Sequence, residues 1–265
     1  ESLDDEHTMY FDKKSKEEFD SELSGNYYGI GAQIQLTSDE TIKITKVFDD
    51  SPAKKAGLKE EDVFVSVDGT SVKGKSATEV ANMLKSDSVK TSTIVVKRND
   101  KELTFKVTKE NITLFSVSSE MLDNNGKNVG YLSVSIFGQK TYSQFKDALT
   151  KLEKQDMDSL IIDLRGNTGG YLSTVTNMLE EFIDKGNVIY QIQSSSGVKQ
   201  YKTVKASEKK YKIVVLIDGG SASASEIMSA AMKEVYGATL VGQTTYGKGT
   251  VQTTKDLSNG SMIKY

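Results

Sequence analysis

Two apolar runs in the second half of the chain each end in a glycine-rich turn that leads into a helical pattern. They lie in "DSLIIDLRG", which begins at Asp158, and in "KIVVLIDGG", which begins at Lys212. Strand–helix–strand units of this length need crossover connections, which give a largely parallel sheet. The sites of such α/β folds lie at the carboxyl ends of the strands. The pattern therefore predicts an α/β domain with a site built from these two turns.

A compact module with a different pattern precedes this domain, between residues 26 and 108. Its short alternating strands are separated by turns and by two helical segments. The first helical segment has Ser51 as N-cap, Pro52 at the first helical position and Gly57 as C-cap. The second segment has a shared apolar face. That face is formed by Ala77, Val80, Ala81 and Leu84. The module is therefore predicted to be a small β-barrel with two helices.

The chain thus divides into three segments. Residues 1–25 are charge-rich and predict a short helical arm, residues 26–108 form the small barrel, and residues 109–265 form the α/β domain. The last five residues, "SMIKY", have the pattern of an unfinished strand. We therefore expect the sequence to stop short of the carboxyl end of this domain.

Composition disfavours several kinds of chemistry. The 265 residues include no cysteine and a single histidine, His7. Thiol catalysis and thiolate metal sites are thereby excluded. His7 lies far from any glycine-rich turn, so we expect a surface residue and not a member of a catalytic triad. No metal or cofactor is expected. The net charge of −3, with interspersed signs, does not support nucleic-acid binding.

Serine and alanine alternate from Ser221 to Ser225, directly after the second glycine turn. A serine at a tight strand-to-helix turn is exposed, and the helix N-terminus stabilises negative charge that develops beside it. The segment also fits a helix-capping box, in which the Ser223 hydroxyl and the Glu226 carboxylate bond opposite backbone amides. The residue pattern alone leaves both interpretations open, a nucleophile or a simple N-cap.

Lys248 lies between two glycines and four residues before Gln252. The segment "TVQTT", residues 250–254, looks like a strand, and in an extended chain these two side chains share a face. A neutral lysine amine can act as a general base, and an amide oxygen can orient it without adding charge. The alternative is a solvated lysine in a surface turn. A phosphate-binding loop is disfavoured because Gly249 replaces the required Ser or Thr and no helical pattern follows.

Three segments together resemble the carboxyl-terminal processing peptidases, which are serine proteases with a Ser/Lys dyad and an embedded PDZ domain. The segments are "IIDLRGNTGG", "GGSASASEI" and "GKGTVQ". "SLDDEHTMY" is similar to the arm before the family's PDZ domain, and "GIGA" with "SPAKKAGLKEEDVFVSVDG" is similar to its PDZ core. The resemblance implies a crotonase/ClpP-like α/β protease core with an embedded PDZ domain. It also implies that Ser223 is the nucleophile, Lys248 the general base and Gln252 its positioner.

The resemblance implies further site residues. The oxyanion donors would be the backbone amides of Gly169 and Ala224, although Thr168 stands where the family usually has proline and puts the conformation of that loop in question. In PDZ domains, loop amides bind the terminal carboxylate of a peptide, and the peptide adds a strand to the sheet. The implied residues here are Ile30, Gly31 and Ala32 in the loop and Val80 and Leu84 in the pocket. The alternative for "GIGA" is a plain turn.

The function implied by the resemblance is a serine endopeptidase that binds protein or peptide substrates by a free, apolar C-terminus. Members of the family usually work outside the cytoplasm, so we expect a periplasmic, cell-envelope or secreted protein. Its signal or membrane anchor would lie upstream of this sequence, and a homo-oligomer is compatible with the resemblance. Arg98, at a strand end, is interpreted either as a contact between the two domains or as a solvated charge.

Two other functions stay open. One is a catalytically inactive PDZ-type peptide-binding scaffold, and the intact Ser223, Lys248 and Gln252 argue against it. The other is a lipid- or retinoid-binding relative of the same core fold, and the PDZ module argues against it.

Overall fold

The structure is a computed structural model that describes residues 8–85, 89–207 and 211–265. His7 and the first part of the expected arm lie outside the described residues. In chain order the strands are β1 (Met9–Phe11), β2 (Asn26–Gly29), β3 (Ala32–Leu36), β4 (Ile42–Val47), β5 (Val63–Val67), β6 (Thr70–Ser71), β7 (Thr91–Arg98), β8 (Lys101–Thr108), β9 (Glu110–Thr113), β10 (Val117–Asn124), β11 (Lys127–Val134), β12 (Ser159–Asp163), β13 (Val188–Ser194), β14 (Gly197–Lys202), β15 (Lys212–Ile217), β16 (Thr239–Gly242), β17 (Thr254–Asp256) and β18 (Met262–Lys264). The helices are α1 (Lys13–Ser24), α2 (Pro52–Ala56), α3 (Ala77–Lys85), α4 (Thr141–Glu153), α5 (Leu172–Leu179) and α6 (Ala224–Ala231), which continues into a π-helix at Met232–Tyr236.

The chain folds into two compact units. The α/β unit combines the segment that ends at Gly25 with Phe115–Tyr265, and the barrel unit is Asn26–Leu114. β9 pairs antiparallel with β2. This pairing attaches residues beyond 108 to the barrel unit.

The main sheet of the α/β unit has the strand order β10-β11-β12-β15-β16. β11, β12, β15 and β16 pair in parallel, whereas β10 pairs antiparallel with β11. The predicted, largely parallel sheet is therefore confirmed. Helices α4, α5 and α6 bury apolar side chains in its core, among them Phe145, Val175 and Met228. Because β12 and β15 are parallel neighbours, the turns that follow them lie at the same edge of the sheet.

A smaller sheet of the α/β unit has the order β1-β18-β17. The expected strand at the carboxyl end of the sequence is present as β18. The prediction of a strand over residues 250–254 is wrong for residues 250–253, because β17 begins only at Thr254. The ladder between β17 and β18 starts where Thr254 stands opposite Lys264, and residues 250–253 lie before it in an irregular segment.

The apolar patterns that follow the two glycine turns are longer than the regular α-helices that form there. The pattern after the first glycine turn continues to Asp184, but α5 ends at Leu179. Phe182 and Ile183 are nevertheless buried in the core, so burial and not helical structure explains their apolar character. α6 changes to the π-helix at Met232, which ends at Gly237 with a φ of 88°.

The barrel unit is built on a sheet of order β3-β4-β5-β7-β8, with β6 paired to β5. The predicted caps of α2 are confirmed. The Ser51 hydroxyl accepts from the Lys54 amide at 3.2 Å, Pro52 is in the first helical turn, and Gly57 ends the helix with a φ of 92°. The apolar side chains of α3 pack into the core of this unit.

In the three ranges that the structure describes, no helix combines the length and the apolar character that crossing a membrane requires.

Candidate active site

A strained turn connects β15 to α6. Ser223 is the N-cap of α6 and has a φ of 55° and a ψ of −114°. For a residue with a side chain, such a backbone costs on the order of 1–3 kcal/mol and persists only where the surrounding structure imposes it. Strained strand-to-helix turns of this kind are the setting in which α/β hydrolases expose a nucleophilic serine.

The three serines of the alternation have different environments. Ser221 is buried, and its hydroxyl donates to the Leu164 carbonyl at 2.8 Å. Ser225 is also buried, and its hydroxyl donates to the Asn167 carbonyl at 2.7 Å. Ser223 is partly exposed. Of these three hydroxyls, that of Ser223 is therefore the one a substrate can reach.

Gly169 lies beside Ser223 in the turn that follows β12. Its φ is 111°, and a Cβ there would lie 2.9 Å from the Cβ of Ser223 and 3.1 Å from the Ala224 nitrogen. The Gly169 amide donates to Oδ1 of the fully buried Asn167 at 2.9 Å, and Nδ2 of Asn167 donates to the Val134 carbonyl at 2.9 Å. One of the two predicted oxyanion donors is therefore engaged by an internal acceptor. The other, Ala224, is the first residue of α6, where the helix itself supplies no acceptor for the amide.

Lys248 lies in the irregular segment between β16 and β17. Its Nζ donates to Oε1 of Gln252 at 2.5 Å. The expected contact between these side chains is thus present, although the strand that was expected to produce it is not. Lys248 is partly buried, which contradicts a fully solvated lysine in a surface turn.

Glu226 joins the Ser223 turn to the Lys248 segment. Its Oε2 accepts from the Ser223 amide at 2.7 Å and from the Lys248 amide at 2.9 Å. Its Oε1 accepts from the Thr245 hydroxyl at 2.9 Å and from the Gly247 amide at 2.7 Å. Burial alone would raise the pKa of the Glu226 carboxyl, but these hydrogen bonds outweigh it, so that its pKa lies below the ordinary value. The carboxylate therefore fixes both segments in one arrangement.

Asp218 joins the turns after β12 and β15 in a similar way. Its Oδ1 accepts from the Gly166 and Gly220 amides, each at 2.9 Å. The hydrogen bond from Gly166 is the largest cause of the lowered pKa of Asp218. This carboxylate therefore holds the Gly169 turn next to the Ser223 turn.

Lys264 of β18 lies close enough to Lys248 to interact with it electrostatically. Its Nζ is 5.7 Å from the ring centroid of Phe11 and 5.6 Å from that of Phe19. Burial, and to a smaller extent the positive charge of Lys248, lowers the pKa of Lys264. Both effects favour the neutral form of Lys264.

Three side chains in this arrangement have no predicted role in the site. The sequence pattern gives Glu226 only as half of a capping box and does not indicate Asn167 or Asp218. The capping-box pattern was a signal for the Ser223–Glu226 contact. The pattern gave no signal for Thr245, Gly247 and Lys248, which come to the same carboxylate from a distant part of the chain.

The predicted carboxylate-binding loop lies in the barrel unit. The Ile30 carbonyl accepts from the Ala53 amide at 2.8 Å, and the Gly31 carbonyl accepts from the Phe48 amide at 3.0 Å. Gly31 has a φ of 78°, and a Cβ there would lie 2.3 Å from the Cβ of Ser51. Both carbonyls are therefore bonded within the unit, and the loop ends where Ala32 begins β3.

The two predicted pocket residues on α3 are interior side chains. Val80 is 0% exposed and Leu84 is 5% exposed. In this structure they form part of the apolar core of the barrel unit.

Arg98 is bonded within the barrel unit. Its Nε and Nη2 donate to the two carboxylate oxygens of Asp62 at 2.5 and 2.6 Å, and Nη2 also donates to the Gly57 carbonyl at 2.9 Å. The Asp62 side chain is fully buried. The interpretation of Arg98 as a merely solvated strand-end charge is therefore wrong.

Among the residues that the structure describes, no group of three or more His, Cys, Asp or Glu side chains is arranged to hold a metal ion.

Comparisons with known proteins agree with the two units. Residues 128–265 match the model of peptidase family S41, and residues 28–108 match that of the PDZ domain. The carboxy-terminal processing protease CtpB of Bacillus subtilis is 36% identical over 99% of this chain and 55% of its own length. CtpA of the same organism is 37% identical over 100% of this chain and 56% of its own length. The chain thus spans about half the length of these relatives.

A solved structure extends the similarity to the fold. The photosystem II D1 C-terminal processing protease matches 99% of this chain and 72% of its own chain, with a TM-score of 0.56 and 28% sequence identity. The family model alone covers more than half of the 265 residues. On this evidence, the chain belongs to peptidase family S41 and carries a PDZ domain.

Proposed function

We propose that this chain is a serine endopeptidase that recognises the C-terminal tail of protein substrates and cleaves peptide bonds with Ser223 and Lys248. The observation that carries the proposal is the Glu226 carboxylate, which accepts hydrogen bonds from the backbone amides of both residues. Through these bonds it links the Ser223 turn to the Lys248 segment, which is distant in the sequence. Membership of the S41 family and the similarity to two carboxy-terminal processing proteases support the same reaction.

In the proposed mechanism, the hydroxyl oxygen of Ser223 attacks the substrate carbonyl while the neutral amine of Lys248 accepts the hydroxyl proton. The Gln252 oxygen holds that amine in place. The protonated amine then gives its proton to the leaving nitrogen, so that an acyl-enzyme and a free amino terminus result. Water, deprotonated by the same amine, hydrolyses the acyl-enzyme and restores Ser223.

The tetrahedral intermediate carries a negative oxygen, which backbone amides stabilise. We assign this role to Ala224 and Gly169. The Gly169 amide must first leave Oδ1 of Asn167. A hydrogen bond to a charged oxygen is about twice as strong as one to a neutral oxygen, so an oxyanion can replace the Asn167 amide oxygen.

Several finer features belong to the same proposal. The PDZ domain comprises residues 26–108 together with β9, which pairs with β2, and the protease core that follows is of the crotonase/ClpP-like type. Ile30, Gly31 and Ala32 bind the terminal carboxylate with their backbone amides. The protein works outside the cytoplasm, as is usual for carboxyl-terminal processing peptidases.

The proposal is tested by incubating the chain with a disordered, apolar-ended protein and identifying the products by mass spectrometry. Replacing Ser223 by alanine should lower the cleavage rate by about a thousandfold or more, since the covalent step is lost. The matched control is Ser225→Ala, which removes a hydroxyl two residues away. It should keep most of the activity and lose about 0.5–1.5 kcal/mol of stability, because the Asn167 carbonyl loses the hydroxyl donor but keeps the bond from the Ala222 amide.

Comparable cleavage by the Ser223→Ala protein and the unchanged protein would refute the assignment. Loss of activity in Ser225→Ala without any loss of stability would indicate that Ser225, and not Ser223, is the nucleophile.

A further inference from the structure

A short segment between β11 and α4, residues 136–139, contacts the turn that carries Gly169, and we call it the bridging segment. The Phe137 amide donates to the Gly169 carbonyl at 2.8 Å, and the Phe137 carbonyl accepts from the Tyr171 amide at 2.8 Å. Gly170 allows this close approach, since a Cβ there would overlap the Phe137 carbonyl oxygen. The backbone that follows the Gly169 amide is therefore paired with the bridging segment.

Thr174 of α5 holds the bridging segment in place. Its side chain is buried, and its hydroxyl donates to the Gly138 carbonyl at 3.0 Å. The Thr141 amide makes a longer bond to the same carbonyl, at 3.3 Å, and the Thr141 hydroxyl accepts from the Gly138 amide at 2.9 Å. The Thr174 hydroxyl thus fixes the residue next to Phe137, which bonds Gly169 directly.

The position of Gly169 decides whether its amide can serve as an oxyanion donor. Its backbone lies against the start of α6, since a Cβ at Gly169 would lie 2.9 Å from the Cβ of Ser223 and 3.1 Å from the Ala224 nitrogen. Oxyanion donors act at about 2.7–3.1 Å from the charged oxygen, and a misplacement of about 1 Å can lower a rate by about a hundredfold. A small shift of this turn would therefore weaken the stabilisation of the intermediate.

We propose that Thr174 is a positioning residue for the oxyanion donor Gly169, and that it acts through the Gly138 and Phe137 peptides. The inference rests on the proposed reaction at Ser223. The donor serves an oxygen that becomes charged only during the reaction. Loss of the Thr174 hydroxyl should therefore lower kcat and kcat/KM equally and leave KM unchanged.

The test measures kcat and KM of the 265-residue chain on a fluorogenic peptide. Thr174→Val removes the hydroxyl and keeps the branched shape, whereas Thr174→Ser keeps the hydroxyl. The matched control is Thr176→Val on the same helix. The Thr176 hydroxyl also donates to a backbone carbonyl, that of Leu172 at 2.7 Å, but this bond lies within α5 and does not reach the bridging segment.

A peptide aldehyde of the same sequence is the second probe. The Ser223 oxygen bonds to its carbonyl carbon, the hydroxyl proton passes to the Lys248 amine, and the aldehyde oxygen takes the negative charge. This adduct places an oxyanion beside the Gly169 and Ala224 amides without breaking a peptide bond. Its inhibition constant therefore reports the quality of the oxyanion site directly.

We expect Thr174→Val to lower kcat about tenfold with KM unchanged, which is less than the loss of about 10²–10³-fold caused by removing an oxyanion donor. The inhibition constant of the aldehyde should rise by a similar factor. Thr174→Ser should restore most of both values, and Thr176→Val should leave both unchanged. Urea unfolding of each variant compares their stabilities.

A second variant displaces the bridging segment from another side. A Cβ at Gly138 would lie 2.8 Å from the Leu23 carbonyl oxygen in α1, and the same oxygen accepts from the Gln139 amide at 2.8 Å. Gly138→Ala should therefore move the bridging segment and lower kcat by a similar factor. It tests the same role if Thr174→Val fails to fold.

Unchanged kcat and aldehyde inhibition in folded Thr174→Val, or in folded Gly138→Ala, would overturn the positioning role and leave the proposed reaction intact. An equal fall in Thr174→Val and Thr176→Val would also overturn it, because the effect would then follow from a less stable α5. If the unchanged protein neither cleaves the peptide nor binds the aldehyde, the proposed reaction itself fails, and the role of Thr174 fails with it.

Discussion

At the scale of single residues, the proposal makes its most specific chemical demand on Lys248, because a general base must be neutral before it can accept a proton. Its amine is bonded to the Gln252 oxygen at 2.5 Å. An amide oxygen is a neutral partner, so it orients the amine without the added charge by which a carboxylate would hold the proton more strongly. Arginine can make a similar hydrogen bond, but its guanidinium stays protonated at every working pH.

Lys248→Arg should therefore lose activity by about a hundredfold or more, to the level of Lys248→Ala, since general base catalysis contributes on the order of 10²–10⁴. The measurement is kcat/KM on a fluorogenic peptide. Lys255→Arg, at an exposed position of β17, is the control and should keep its rate. Substantial activity in Lys248→Arg, or complete inhibition by EDTA, would show that another mechanism operates.

The side chains that we propose for the reaction could be named from the sequence, but the hydrogen bonds of their neighbours could not. The residue pattern alone gives three similar serines, and the bonds of Ser221 and Ser225 to distant carbonyls leave Ser223 as the partly exposed one. Such contacts depend on which segments the sheet brings together, and residue patterns contain little information about that. The bond from the Gly169 amide to Asn167 is different, because it joins residues two positions apart and asparagine turns of this kind are a local signal.

At the scale of elements, the candidate site consists of turns that are held together by hydrogen bonds to two carboxylates. Glu226 holds the start of α6 to the segment before β17, and Asp218 holds the turn after β12 to the turn after β15. Each carboxylate accepts hydrogen bonds in its charged form, and each therefore has a lowered pKa. A carboxyl group with a lowered pKa in the folded state stabilises the fold above its unfolded pKa, and this contribution is lost as pH falls through the folded pKa.

We expect Glu226→Gln to be less stable than the unchanged protein at pH 7, by about 1.5–3 kcal/mol if the bonds to the charged group are lost. The difference should shrink as the pH falls below about 4.3, the ordinary pKa of glutamate, because the unchanged protein then loses the same charge. Urea unfolding at pH 7, 5 and 3.5 measures it. Glu234→Gln, an exposed change in the π-helix, is the control. A stability difference independent of pH would argue against stabilisation of the fold by the charged form of Glu226.

The order of the main elements followed from the sequence because apolar runs and caps are local signals. The parallel strands β11, β12 and β15 and the caps of α2 are of this kind. The start of β17 could not be predicted in this way. A strand needs a partner, and the partner at Thr254 is Lys264, so its length depends on where two separate segments meet.

At the scale of the whole molecule, the proposal requires that the PDZ domain and the protease core act on one substrate chain. The barrel unit offers backbone amides in its loop, and the α/β unit offers the Ser223 turn. A substrate whose free C-terminus is held by the first is presented to the second at a raised local concentration. The cleavage rate at low substrate concentration should therefore depend on the substrate's terminal carboxylate, although this group takes no part in the cleaved bond.

Two peptides that are identical except for a C-terminal carboxylate or amide test this dependence. The amide removes the negative charge that the loop amides would bind, and hydrogen bonds to charged groups contribute about 1.5–3 kcal/mol each. At substrate concentrations well below KM, we expect the amide to be cleaved about tenfold more slowly, whereas the rates should converge at saturation if docking acts through binding alone. The two rates are measured by chromatography of the same product fragment. Equal rates for acid and amide at low concentration would contradict recognition of the terminal carboxylate, and would leave cleavage by Ser223 and Lys248 independent of the barrel unit.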